Sequence, residues 1–273
     1  MARSKTGTEY DLTGPAGAPV VVLVHGLGLT RATWDGFVPV LAQDYRVLTY
    51  DLCGHGQSAL PLAVPSLTVL SDQLLALLDK LEIARATIIG FSLGGMINRR
   101  FAIDHPSRTA GLVILNSPHE RSPKAQRLVE ERAAQTGAGG PAATIDSTLE
   151  RWFTTQFRQD APDVVASTRA LVLANDPENY TRHRQVLAAG VVELIRPVPP
   201  ITMPTLVITC EHDSGSTPAM AHAIAAEIAG AETVIVPGLQ HLGLIERPDL
   251  FLQPILRFLN CTEERLPMNG TTA

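Results

Sequence analysis

Short runs of apolar, β-branched residues alternate along this chain with longer stretches in which apolar positions recur every three or four residues. Val20–Val24 and Arg46–Tyr50 are the first two runs, and 87–89, 112–115, 206–209 and 233–236 continue the series. Each is nearly continuous in apolar side chains, as a strand covered on both faces of a parallel sheet should be. Between the second and third runs, residues 66–81 carry leucines at 67, 70, 74, 77, 78 and 81, a one-sided helical stripe with Ser66 placed to cap its start. The alternation predicts an α/β fold, a mostly parallel central sheet with helices on both faces.

After the fourth run the rhythm stops. From 117 to 202 helical patterns dominate, with helices expected near 124–135, 147–157, 163–173 and 178–189. Gly137-Ala138-Gly139-Gly140-Pro141, Ala161-Pro162 and Asp176-Pro177 supply the breaks. Arg196-Pro197-Val198-Pro199-Pro200, with Pro204 close behind, then returns the chain to the sheet in an extended form. The expected division is therefore a core of 1–116 and 203–261, a helical cap or lid of 117–202, and a frayed polar tail of 262–273.

Composition narrows the partners. The 273 residues are 45% hydrophobic and 18% charged, with a net charge of −5, an ordinary globular balance. No cluster of Lys and Arg exceeds a doublet such as Arg99-Arg100, which speaks against nucleic acid or an anionic membrane and for a small-molecule substrate. Three cysteines, Cys53, Cys210 and Cys261, are odd in number and lack a C-x-x-C spacing, so neither a disulfide framework nor a cysteine zinc site is expected. The first residues lack the apolar segment of a secretory signal, and nowhere do about 18 apolar residues run together. The expectation is a cytoplasmic protein that does not span a membrane.

The strongest local signal is Ile89-Gly90-Phe91-Ser92-Leu93-Gly94-Gly95, a strand ending in G-x-S-x-G where a helical pattern begins. A sharp strand-to-helix turn lifts the serine hydroxyl out of the sheet, and the glycines remove side chains that would clash. Upstream, Val20–Val24 runs into His25-Gly26-Leu27-Gly28, whose Leu27 amide is placed to act with that of Leu93 as an oxyanion hole. A serine hydroxyl needs a base, and the base a carboxylate to orient it. His241, in the loop after the last run, is the best placed of eight histidines; Asp213 is the chosen acid, with Glu211 second. Asn116 stands where an alternative acid would follow the preceding strand.

At this point the chain resembles the α/β-hydrolase superfamily, and within it the 3-oxoadipate enol-lactone hydrolases. The likeness runs from His25-Gly26-Leu27-Gly28 through Asp51-Leu52-Cys53-Gly54-His55-Gly56 and Gly90-Phe91-Ser92-Leu93-Gly94 to His241-Leu242-Gly243. Leu149-Glu150-Arg151-Trp152-Phe153-Thr154 and Asn175-Asp176-Pro177-Glu178-Asn179-Tyr180 look like enol-lactonase segments of the cap. The resemblance implies an α/β-hydrolase fold with a helical cap inserted after the sixth strand. It also implies Ser92 as nucleophile, Asp213 and His241 as its partners, and the Leu27 and Leu93 amides as oxyanion donors. Cys53, where an arginine is usual, and Cys210, where a glycine is usual, depart from that pattern.

The expected reaction is hydrolysis of a small ester or lactone, an enol-lactone above all, through an acyl-enzyme and without metal or organic cofactor. Trp152 is the pocket candidate, and Arg31, Arg151, Arg182 and Arg184 are candidates for binding a substrate carboxylate. The alternatives are C–C or enamide hydrolysis of a ring-cleavage product by the same triad, and a catalytically silent receptor for a small ligand. A serine at position 92 argues against haloalkane and epoxide hydrolysis, which on this fold demand a carboxylate nucleophile.

Overall fold

The computed structural model describes residues 2–264. Its centre is a sheet of eight strands, β1 (Ala2–Arg3), β2 (Glu9–Thr13), β3 (Val20–Val24), β4 (Arg46–Tyr50), β5 (Ala86–Phe91), β6 (Thr109–Leu115), β7 (Thr205–Cys210) and β8 (Glu232–Val236). Their order is β1-β2-β4-β3-β5-β6-β7-β8. β1 and β2 are antiparallel to their neighbours, and every pairing from β4 to β8 is parallel. Every residue of β5, β6 and β7 is buried, because helices cover both faces, and that explains their unbroken apolar sequence. The two leading strands make the break in rhythm fall after the sixth strand.

Among the described residues the helices of the sheet region are α1 (Val38–Leu41), α2 (Leu67–Lys80) and α3 (Leu93–Asp104). Between β6 and β7 come α4 (Pro123–Gly139), α5 (Ile145–Trp152), α6 (Thr155–Asp160), α7 (Pro162–Leu173) and α8 (Pro177–Ala189). α9 (Pro218–Ala226), α10 (Gly243–Glu246) and α11 (Pro248–Glu264) complete the described residues. Ser66 caps α2 by accepting from Val69 N at 3.1 Å, and its leucine stripe at 67, 70, 74, 77 and 78 is buried. α3 packs on β5 and β6, and α9 on β7. No helix of the described residues is long and apolar enough to cross a membrane.

Three expectations change. The helix expected at 147–157 is two, α5 and α6, because Phe153 turns to extended backbone and Thr154 caps the second by accepting from Phe157 N. Gly137 and Gly139 stay inside α4, and the break comes at Gly140, whose φ is +63°. The tail expected from 262 is still helix through Glu264, with the buried Thr262 hydroxyl donating to the Phe258 carbonyl; residues 265–273 lie outside the described residues.

Candidate active site

The parallel strands β3, β5, β6, β7 and β8 send their C-terminal loops to one edge of the sheet, the edge where α/β proteins gather reactive groups. β5 ends one residue before Ser92, whose backbone takes φ 55° and ψ −110°, a conformation L-residues avoid. The flanking glycines permit the turn. A Cβ on Gly90 would stand 2.1 Å from the Gly94 carbonyl oxygen, and one on Gly94 would stand 2.2 Å from that of Val24. The turn is further held by the Ser92 amide donating to Leu115 O at 2.8 Å and the Ser117 hydroxyl donating to Ser92 O at 3.0 Å.

Ser92, His241 and Asp213 form one hydrogen-bonded series. The Ser92 hydroxyl meets His241 Nε2 at 3.2 Å, and His241 Nδ1 donates to Asp213 Oδ2 at 2.6 Å. Asp213 is 3% exposed, and burial raises its pKa. The opposing influences of the His241 imidazole, the Asn116 side chain at 2.9 Å and the Ser216 amide at 2.9 Å prevail and hold it below the usual carboxylate value. The Gly215 amide adds another donor at 2.9 Å. Glu211, the second choice for the acid, instead accepts from Gly238 N on the exposed side of the loop.

The His25–Gly28 loop lies against the serine, since a Cβ on Gly26 would come 3.3 Å from Ser92 Cβ. Among the described residues neither the Leu27 nor the Leu93 amide is taken by a protein acceptor. His25 braces this loop, with Nδ1 on the Gly26 carbonyl and Nε2 accepting from Leu52 N at 2.9 Å. Burial pulls its pKa down to about 4, so it is a neutral strut. His55 and His183 are equally buried, their rings 4.7 Å apart, and His119 pairs with Glu227. Cys53 and Cys210 are buried thiols pushed up to about 11 and about 12 by that burial, which makes them unreactive near neutrality.

A cavity of about 80 Å³ opens at the series. Trp152 and Arg151 line it together with Ser92 and His241, and the Trp152 ring is centred 6.2 Å from the imidazole. Arg31 does not line it. Its guanidinium bonds to Asp11 at 2.9 Å and to Asp51, so tertiary neighbours already neutralise the charge and hold it in a separate groove. Arg182 is exposed and paired with Glu178 at 2.5 Å. Arg184 does line the cavity, as do Arg121 and Arg132, which no sequence spacing singles out because one lies in the segment before α4 and the other within α4.

A strained serine between a strand and a helix, with an imidazole on its hydroxyl and a carboxylate behind the imidazole, stands at the C-terminal edge of an α/β sheet. The family described as the alpha/beta hydrolase fold matches residues 19–248, and the chain belongs to it. Within that family the resemblance is to enol-lactonases. The crystal structure of the enol-lactonase from Burkholderia xenovorans LB400 is 33% identical, covers 93% of this chain and 96% of its own, and superposes with a TM-score of 0.85. 3-Oxoadipate enol-lactonase 2 of Acinetobacter baylyi is 28% identical over 89% of each chain. The (E)-2-((N-methylformamido)methylene)succinate hydrolase of the same organism is 26% identical over 95% of this chain and 97% of its own. The protein is thus a hydrolase by kinship.

Proposed function

We propose that the protein is a serine hydrolase that opens a small ester or lactone through an acyl-enzyme, with an enol-lactone such as 3-oxoadipate enol-lactone as substrate. The observation that carries this reading is the unbroken series from Asp213 through His241 to Ser92 at the cavity. His241 Nε2 takes the hydroxyl proton as Ser92 Oγ bonds to the carbonyl carbon, and the Leu27 and Leu93 amides receive the oxyanion. The C–O bond of the leaving enol or alcohol breaks, and His241 returns the proton to that oxygen. Water then adds to the acyl carbon, giving its proton to His241, and Ser92 leaves reprotonated. Asp213 stays ionised throughout, fixing the imidazole tautomer and stabilising its charged form.

The small cavity volume favours short acyl groups, and the insertion 117–202 acts as the lid that supplies the specificity side chains, Trp152 among them. The succinate-derived relative supports a second reading, enamide hydrolysis of a dicarboxylate by the same residues. A fluorophosphonate probe is expected to label Ser92, and Ser92→Ala to abolish hydrolysis of p-nitrophenyl acetate; full activity in that variant sinks the mechanism. A panel of the enol-lactone, short esters and the enamide decides the substrate, and no preference for the lactone rejects the narrow assignment.

A further inference from the structure

The cavity at Ser92 is positively charged in a way the hydrolytic steps do not use. Arg121, Arg132, Arg151 and Arg184 all line it, contributed by the segment before α4, by α4, by α5 and by α8. The acidic side chain of that lining, Asp213, is already committed to His241, Asn116 and two backbone amides. Among the described residues no carboxylate pairs with Arg121, Arg151 or Arg184. Arg151 meets the Thr148 hydroxyl at 3.2 Å, and Arg121 meets Gln126 and the Leu187 and Ala188 carbonyls. Arg184 is 8% exposed, and its buried Nε has no hydrogen-bond partner.

These guanidiniums oppose one another. Burial draws the Arg151 pKa down to about 10, Arg132 and Arg184 add to the effect, and burial with Arg184 also lowers Arg121. Charges withdrawn from water are tolerated where an opposite charge answers them. A single carboxylate answers one, and Arg151 and Arg184 alone bring two. We infer that this cavity is a receptor for a short dicarboxylate dianion, so that the ring-opened product is held more tightly than the lactone that gives rise to it. Opening a lactone that bears one carboxylate adds water, breaks the ring C–O bond and creates a second carboxylate with release of a proton. The product therefore carries the two negative charges that Arg151 and Arg184 call for. The product's origin rests on the serine-hydrolase reading, whereas the anion site rests on the arginines.

Protection of Ser92 from a fluorophosphonate, in the whole protein at fixed ionic strength, reads occupancy of the cavity. Succinate, glutarate and adipate are each compared with their own monoamide, which keeps the length and loses one charge. At least one diacid is expected to protect at a concentration about tenfold below its monoamide, the order expected for a lost charge-assisted fork. Arg184→Gln and Arg151→Gln each shrink that ratio, while Arg182→Gln, outside the cavity, leaves it in place. Equal protection by every diacid and its monoamide in the unaltered protein overturns the inference whether or not the variants fold. If the probe fails to label Ser92, the serine-hydrolase reading is what fails; calorimetric titration with the same pairs of acids then supplies the same comparison.

Discussion

Asn116 carries a share of the site that its place in the chain conceals. It follows β6 in a left-handed backbone conformation, φ 46°, and donates to the same Asp213 oxygen that receives His241. In the sequence it is legible only as the residue that excludes an alternative acid. Because the folded pKa of Asp213 is lowered, its ionised form adds stability that is complete above the unfolded value of about 3.9 and is lost as pH falls through the lower folded value. Asn116→Ala removes one donor and raises the folded value, so acid unfolding followed by circular dichroism is expected to begin at higher pH. An unchanged acid midpoint would show that the backbone amides suffice. Ser92, Asp213 and His241 are readable from sequence because each stands in a loop directly after a strand, where chain position nearly fixes spatial position. Arg31 misleads for the converse reason. Asp11 and Asp51, which neutralise it, arrive only through strand pairing.

Among the elements, the ones read well are those whose environment is uniform. β5, β6 and β7 are buried throughout and spell it out, whereas β2, Glu-Tyr-Asp-Leu-Thr near the antiparallel edge, is half polar and shows little pattern. The break between α5 and α6 depends on a contact 92 residues away in the chain: the Glu246 carboxylate accepts from the Thr154 amide at 2.8 Å and its hydroxyl at 2.7 Å. Next to it, the Leu242 amide donates to the Trp152 carbonyl at 2.8 Å. This clamp ties the insertion to the loop that carries His241. Glu246→Ala leaves both Thr154 donors without their acceptor and is expected to lower stability by about 1–3 kcal/mol, measured by urea unfolding. Hydrolysis of p-nitrophenyl acetate should fall with it, since Trp152 and His241 lose a shared brace; a variant with full stability and full turnover would show the clamp idle.

Over the whole molecule, Ser92 lies before the insertion and Asp213 and His241 after it, so the two flanking stretches fold as one sheet, joined where β6 pairs with β7. The strand order was beyond the reach of a single sequence, since pairing across β4-β3-β5 reverses the order of the chain. At its centre sits a serine whose backbone geometry costs about 1–3 kcal/mol, part of which a glycine would return after losing about 0.5–1 kcal/mol to its freedom in the unfolded chain. Ser92→Gly is therefore expected to be inert toward esters and yet to melt at a higher temperature than the natural protein; a lower melting point would refute the strain. On the proposed serine mechanism, the molecule's most durable version is one that has given up its trade, and selection for turnover, acting against thermal endurance, keeps a hydroxyl at that bend.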